Sequence, residues 1–368
     1  MRERSRLPSC LWLAFVVVSA ALTYVLASGW KPSGSLDSVR RVLSQSEPEQ
    51  EPAPIALVVR DPSPQAPLGT RPWDDIREAV LNAINSSRAA AGLTKLEFDR
   101  RLSDLGDDHC WSMVRGKYAS HWTPDGLKPY HRYSLAGGAG LHQQNVAWRR
   151  DSRGLDKGDR ALKAALESFD AMMAEKPPRD GHREAILSAY ATKVGVGVAV
   201  AGEYLAVTHE FASDEVRFLE PMTRHAQPKS RLTIKVAVPL SYKLDGIVVR
   251  REASPKTMST ERLQATSSYE FGGEEIRVLR PVLPSGYEYV DGGRGEIVSR
   301  TRGVFGCEYT LPSVPGLYDF LAVVDGHVRA SITIAAPPDI VPESRYKWPG
   351  AHRALAREEE PEPGEWGR

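Results

Sequence analysis

The chain has 368 residues, of which 41% are hydrophobic and 26% are charged, and its formal net charge is +1. This length suits one or two globular domains joined by linkers. A net charge so close to zero offers little electrostatic attraction for a polyanion, so we do not expect nucleic-acid binding.

The N-terminal segment has the pattern of an export signal. Three arginines precede an apolar run from Cys10 to Ala27. A cationic start, an apolar core and small residues at its end are typical of a secretory signal peptide, here residues 1–27. The run is also close to the length that crosses a bilayer, so an N-terminal anchor formed by residues 10–27 is the alternative. Both predictions make the protein secreted or extracytoplasmic, and the only membrane contact expected is through this anchor.

The next segment, residues 28–72, is rich in Pro, Ser, Glu and Gln. Prolines at this density prevent regular structure, and few apolar residues are available to form a core. The segment is therefore predicted to be a disordered linker.

Two amphipathic helices are predicted after the linker. The first spans Trp73 to Ala91, and its apolar residues recur at helical spacing at Ile76, Val80 and Ile84. The second runs from about Arg100 to Lys117 with a stripe formed by Leu102, Leu105, His109 and Met113. Because His109 lies on this stripe, we interpret it as a core histidine that bonds a backbone carbonyl.

Short motifs then follow one another in a recognisable order. They are Leu93-Thr94-Lys95-Leu96 before Phe98-Asp99, Ser120-His121 before Pro124-Asp125-Gly126, Gln144-Asn145-Val146-Ala147, Gly181-His182-Arg183 before Ile186-Leu187, and the alternating Val/Gly run 194–199 before a strand that ends in Phe211. Together they resemble the CAP superfamily of cysteine-rich secretory, antigen 5 and pathogenesis-related proteins, and its bacterial branch most closely. The resemblance covers residues 73–212 and implies an α/β fold, a CAP-like α-β-α sandwich.

The pattern changes after a Pro-flanked segment at 221–228. Short runs of β-type residues separated by turn residues predict a small antiparallel β-sandwich over residues 229–336, immunoglobulin-like in the broad sense. We expect few groups to be buried across the Pro-flanked segment, so that the two halves fold independently. Residues 337–368 are predicted to be a disordered acidic tail. Cys110 and Cys307 are interpreted as buried free thiols.

The family resemblance also implies a cleft lined by two histidines and one or two glutamates, which binds a divalent cation in some members. His121 matches the first histidine and His182 the second. Gln144 stands where the family has a glutamate, which removes a negative charge that would favour a cation. The second family glutamate aligns with Met172, and Glu175 is not counted because it lies one helical turn away.

We therefore predict a ligand-binding cleft formed by His121, Gln144, His182 and His209, with the first and third within about 8 Å of each other. Zinc normally takes three or four protein ligands, so His121 and His182 are expected to hold a divalent cation weakly at most. The alternative is that both bond only backbone or water. Because Gln144 replaces a charged glutamate, we expect Gln144→Glu to tighten zinc binding by supplying the missing charge. His131 and His142 lie near glycine-rich sequence and are expected to be exposed.

Searches for catalytic motifs find no Gly-x-Ser-x-Gly elbow, His-Glu-x-x-His helix, phosphate-binding loop or Cys-x-x-Cys pair. We therefore assign no catalytic residue and no firmly bound cofactor. The resemblance implies a non-enzymatic module that binds a small molecule or a lipid whose identity is unknown. A metal-assisted hydrolase that uses His121 and His182, and a cell-surface adhesion or wall-associated protein, are the alternatives.

Overall fold

The computed structural model describes residues 68–69, 71–266 and 268–337. The predicted signal or anchor segment, most of the predicted linker and nearly all of the predicted acidic tail lie outside these residues. Within the described part of the chain, no helix combines the length and the apolar character needed to cross a membrane.

The first half of the described chain alternates helices and strands. In chain order its elements are α1 (Asp74–Ala90), β1 (Glu97–Phe98), α2 (Arg100–Gly116), α3 (Pro129–Leu135), β2 (Leu141–Arg150), α4 (Arg160–Met173), α5 (Gly181–Ile186), β3 (Lys193–Ala201) and β4 (Tyr204–Ser213). The two long helices predicted from the apolar periodicity correspond to α1 and α2. The side chain of Asp99 caps α2 by accepting from the backbone of Arg101 and Leu102.

These strands form one sheet in the order β1-β3-β4-β2, so β2 is an edge strand, with β1 at the other edge. The helices α1, α4 and α5 cover one face, where they bury the alternating valines of β3. The helix α2, with Tyr133 of α3, covers the other face. This arrangement is the expected α-β-α sandwich, and the predicted α/β fold class is confirmed.

The glycines of the Val/Gly run explain how α2 reaches the sheet. A Cβ atom on Gly195 would lie 2.2 Å from the backbone nitrogen of Ser103, and one on Gly197 would lie 2.3 Å from the carbonyl carbon of Gly106. Neither contact is possible for a real side chain. The Val/Gly alternation therefore gives β3 two different faces. The valines pack into the core under α1, α4 and α5, and the glycines let the backbone of α2 approach the other face.

The second half is built mainly of strands. They are β5 (Arg217–Phe218), β6 (Arg231–Ala237), β7 (Leu244–Glu252), β8 (Glu274–Leu279), β9 (Val298–Thr301), β10 (Val304–Thr310), β11 (Gly316–Val324) and β12 (His327–Ala336), with one short helix, α6 (Thr260–Ala265). Their order is β5-β6-β10-β9 in one sheet and β12-β11-β7-β8 in the other. Both sheets contribute side chains to one core, which includes Ile234, Val249, Phe320 and Ile332. We call residues 229–336 the C-terminal module.

The C-terminal module is joined to the first half by buried polar contacts. The ammonium group of Lys128 lies 2.7 Å from the carboxylate of Glu252, and the backbone nitrogen of Thr333 donates to the hydroxyl of Ser134 over 2.6 Å. Arg224, in the Pro-flanked segment between the two halves, is buried as well, and its guanidinium donates to the carbonyl of Ser134 over 2.8 Å. The expectation that few groups are buried between the halves is therefore wrong, because the loop and helix at 128–135 contact the second sheet directly. The domain limits themselves stay a prediction.

Both cysteines of the described chain, Cys110 and Cys307, are buried free thiols, as expected.

Candidate functional site

His121 follows α2 and is oriented by a glutamine on the edge strand. Its Nδ1 atom lies 3.0 Å from Oε1 of Gln144. The amide nitrogen of Gln144 donates to Oε1 of Glu210 over 2.8 Å. Because the amide nitrogen is engaged by a carboxylate, its oxygen must face the imidazole, and Nδ1 of His121 must be the donor. Nε2 of His121 therefore keeps its lone pair.

Glu210 is a fully buried carboxylate on β4, and it accepts the last hydrogen bond of this network. Its second oxygen, Oε2, lies 3.0 Å from Nε2 of His142. Burial opposes ionisation of Glu210, but the hydrogen bond and the electrostatic attraction of His142, together with Arg132 and Gln144, outweigh burial and lower the pKa of the carboxyl group. An ionised Glu210 fixes the orientation of the Gln144 amide.

His121 itself is held neutral. Burial lowers its pKa to about 4, and the nearby His182 lowers it further, whereas the hydrogen bond that His121 donates to Gln144 acts in the opposite direction. A neutral imidazole with one proton on Nδ1 is suited to accept a hydrogen bond, or to bind a metal ion, at Nε2.

His182 lies at the start of α5 and has a carboxylate partner of its own. Its Nδ1 atom is 2.5 Å from Oε1 of Glu175, and its backbone nitrogen donates to Oε2 of the same residue over 3.2 Å. The side chain of Asn145 donates to the carbonyl of His182 over 3.0 Å. The side chain of His182 remains 35% exposed, so it is open to solvent.

The two histidines meet beside β2. Their ring centroids are 6.5 Å apart, with 28° between the ring planes, within the expected separation of about 8 Å. Gln144 and Asn145 are consecutive in a strand and point to opposite faces of the sheet. The side chain of Gln144 bonds the ring of His121, whereas that of Asn145 bonds the backbone carbonyl of His182, so the two histidine segments reach β2 from opposite faces of the sheet. We define the histidine cleft as His121, Gln144, Glu175 and His182.

His209 lies opposite Asn145 across the β2–β4 pair, on the face of the sheet that carries α4 and α5. It is 2% exposed, and its ring lies 6.2 Å from that of Phe169. Burial lowers its pKa to about 4, and the nearby His182 contributes further. His209 thus lies in the core on the His182 side, and its role in ligand binding stays a prediction.

Glu175 contacts His182 in the cleft, although the sequence did not predict it as a site residue. Met172, which was aligned with the family glutamate, is buried in the core formed by α4 and the sheet. Glu175 follows α4 by two residues, where the chain has left the helix. Helical spacing therefore does not place the Glu175 side chain, and the signal in the sequence is its position seven residues before His182.

Two other histidines contradict the expectation of exposure. His131 is 1% exposed and His142 is 3% exposed. The Tyr133 ring stacks on His142 with a centroid distance of 4.6 Å, and His131 is enclosed by the C-terminal module. The core role of His109 is confirmed, because its Nε2 atom lies 2.7 Å from the carbonyl oxygen of Ser120.

A second cluster of possible metal ligands consists of His131, Glu252 and Asp319, whose ligand atoms lie within 4.8 Å of one another. The backbone nitrogen of Lys128 donates to Nδ1 of His131 over 3.3 Å, which places the imidazole proton on Nε2. A metal ion would need the lone pair of Nε2 and would compete with the ammonium group of Lys128 for Glu252. The chemistry of this cluster therefore suits a proton and not a metal ion.

The comparison with protein families supports the resemblance seen in the motifs. Residues 81–211 match the family model described as CAP, the cysteine-rich secretory protein family. We call this segment, which contains the whole histidine cleft, the CAP domain after the model that it matches. A search of curated proteins finds no match to the chain.

Several solved structures are similar to part of the chain. An extracellular protein with an SCP domain from Bacillus anthracis is 19% identical, over 40% of this chain and 45% of that one, with a TM-score of 0.31. An outer surface protein from Borrelia burgdorferi is 14% identical, over 39% and 96%, with a TM-score of 0.32. A cysteine-rich secretory protein from Staphylococcus aureus is 16% identical, over 40% and 40%, with a TM-score of 0.27. The chain thus spans less than half of the Bacillus and Staphylococcus proteins.

Proposed function

We propose that the histidine cleft binds a small polar ligand and is not an active site, in a protein that acts outside the cytoplasm. The observation that carries this proposal is the hydrogen bond from Nδ1 of His121 to Gln144, which leaves Nε2 as an acceptor. A ligand that presents hydroxyl or amino donors, or a divalent cation, complements such a group. The cleft is polar, so an acyl chain would gain little by binding to these four side chains.

The lowered pKa of His121 argues against general-base catalysis. A side chain with a pKa of about 4 is a poor proton acceptor near neutral pH, where an efficient base has a pKa close to the pH of the reaction. The cleft also lacks a carboxylate in direct contact with His121, since Gln144 occupies that position. The two imidazoles can bind a divalent cation through nitrogen, but two protein ligands make only a weak site.

Isothermal titration calorimetry of the full-length chain with Zn²⁺ as the probe tests the proposal. We expect weak, saturable binding to one site, which is lost in His121→Ala and in His182→Ala. His327→Ala, a change at an exposed histidine, serves as the matched control and should bind like the parent chain. Sub-micromolar binding by the parent chain, or no binding at all, would contradict the weak two-histidine site.

A metal-assisted hydrolase remains the second candidate, because the His182–Glu175 pair has the geometry of a base held by an orienting carboxylate. The test is hydrolysis of p-nitrophenyl acetate by the full-length chain with and without Zn²⁺. The binding proposal expects no zinc-dependent rate. A zinc-dependent rate that disappears in both Glu175→Gln and His182→Ala would favour the hydrolase instead.

A further inference from the structure

A segment of the C-terminal module lies along the CAP domain beside the histidine cleft. We call residues 266 and 268–273 the strap, which connects α6 to β8. Its backbone carbonyls accept from side chains of the CAP domain at alternate positions. Ser120 donates to the carbonyl of residue 266 over 3.2 Å, the indole of Trp122 donates to that of 268 over 2.9 Å, and the hydroxyl of Tyr130 donates to that of 270 over 2.9 Å.

Tyr269 of the strap reaches the edge strand of the CAP sheet. Its hydroxyl accepts from the backbone nitrogen of Gln144 over 2.6 Å and donates to the carbonyl of the same residue over 3.1 Å. Both backbone groups lie on the side of β2 that has no neighbouring strand in the described sheet. The phenol ring also lies 4.6 Å from the ring of His121, with 55° between the planes. One side chain thus contacts both the strand edge and the cleft imidazole.

We propose that Tyr269 is a specificity-determining residue of the histidine cleft, so that the C-terminal module supplies one wall of the binding site. This inference rests on the proposed binding function. The backbone groups of Gln144 are those that an extended peptide would use to add a strand to β2. Because the hydroxyl of Tyr269 occupies both of them, strand addition is blocked at this point. The ring covers His121 from the same side, which restricts the cleft to ligands as small as an ion or a compact polar molecule.

Chemical modification of His121 tests the wall directly. Diethyl pyrocarbonate reacts with unprotonated imidazole, and peptide mass spectrometry of the full-length chain identifies the modified histidine. We expect His121 to react several-fold faster in Tyr269→Ala than in the parent chain, because the covering ring is removed. Tyr269→Phe keeps the ring and should protect His121 as the parent chain does. His182, which is already open to solvent, is the internal reference and should react at one rate in all variants.

Two further variants keep the outcome decisive. Tyr287→Ala removes an exposed tyrosine of the same module and should leave His121 protected. Tyr269→Leu lacks the covering ring and should still expose His121, while its apolar side chain partly fills the space that alanine would leave. It replaces Tyr269→Ala if modification of the buried His109 shows that Tyr269→Ala has unfolded. Equal reaction of His121 in the parent chain, Tyr269→Ala and Tyr269→Leu would overturn the proposal. Since this readout needs no ligand, failure of zinc binding would count against the cleft function and leave the result for Tyr269 standing.

Hydrogen exchange separates the two contacts of Tyr269. The amide proton of Gln144 should exchange faster in both Tyr269→Phe and Tyr269→Ala, because both lack the accepting hydroxyl. Exchange as slow as in the parent chain in both variants would show that the hydroxyl does not hold the strand edge, and the claim that it blocks strand addition would be wrong.

Discussion

Gln144 connects an imidazole that needs an acceptor to a carboxylate that needs a donor. An amide serves both at once, with its oxygen toward His121 and its nitrogen toward Glu210. The loss of a charged group relative to the family pattern therefore has a local reason. A second carboxylate at this position would face Glu210, which is ionised and fully buried.

This geometry changes what Gln144→Glu should do to zinc binding. Alone, the new carboxylate would lie against Glu210, and one of the two would take up a proton, since two buried carboxylates in contact do not both ionise. The single variant should then bind Zn²⁺ no more tightly than the parent chain. In the double change Gln144→Glu with Glu210→Gln, the amide at position 210 donates to the carboxylate at position 144. The carboxylate charge then lies beside the imidazole of His121. The double change should tighten zinc binding about tenfold, as measured by calorimetry.

Glu210→Gln alone is the control, because it removes the buried carboxylate without placing one beside His121, and it should not tighten Zn²⁺ binding. If Gln144→Glu alone tightens binding as much as the double change, Glu210 does not control the charge at this site. The sequence predicted the opposite result for the single variant, because only the strand register shows that Gln144 and Glu210 are cross-strand neighbours.

Among the elements, the contact between α2 and β3 depends on glycine. Gly197→Ala would place a methyl group 2.3 Å from the carbonyl carbon of Gly106 and 2.5 Å from the hydroxyl of Thr208. Since the backbone of α2 cannot yield locally, the whole helix must shift. We expect a loss of at least about 1–3 kcal/mol in the free energy of unfolding, measured with urea. Gly181→Ala is the control, because a Cβ there meets nothing within 4 Å, and its stability should be unchanged or slightly higher.

Apolar periodicity predicted the elements of this sandwich well but not their contacts. The stripe of α1 and the alternation of β6 follow directly from the sequence, and β6 buries every second residue as expected. The helix α6 and the strap carry no comparable pattern. Tyr269 contacts a strand that is 125 residues away in the chain, and no local spacing could reveal such a partner.

At the scale of the whole molecule, the junction between the CAP domain and the C-terminal module contains buried charges. His131 faces Asp319 at 3.5 Å and Glu252 at 3.7 Å, and Lys128 and Tyr130 also contact Glu252. Burial opposes protonation of His131, but the two carboxylates outweigh it and raise its pKa. The pKa of Glu252 is lowered to about 2, because His131 and Lys128 outweigh its burial.

The stability of this junction should therefore decrease in alkaline solution. A group whose pKa is raised by folding stabilises the folded state fully below its unfolded pKa, and this contribution is lost as the pH rises through the folded pKa. The free energy of unfolding, measured with urea from mildly acidic to alkaline pH, should fall as His131 loses its proton. The lowered pKa of Glu252 acts in the other direction, because its contribution is present above the unfolded pKa of the carboxyl group and is lost as the pH falls towards about 2.

His131→Leu should remove most of this alkaline decline and should cost about 3–5 kcal/mol at neutral pH, because it leaves the carboxylate of Asp319 without its counter-charge. The double change His131→Leu with Asp319→Leu should recover part of that loss. If the free energy of unfolding of His131→Leu falls as much in alkaline solution as that of the parent chain, groups other than His131 cause the fall. Independent folding of the two halves, as the sequence suggested, would require each half to expose these charges to water.

The strap has a consequence for tracing this architecture through evolution. At 266, 268 and 270 it is held through main-chain oxygen atoms, which every amino acid possesses, so the residue types at these three positions are free to diverge while the docking persists. Tyr269 differs from them because its phenol makes the contacts, and Gly273 differs because a Cβ there would lie 2.3 Å from the carbonyl oxygen of Arg251. Homologous chains that share the two-module arrangement should therefore vary at the three alternate positions and retain the tyrosine between them and the glycine just before the eighth strand.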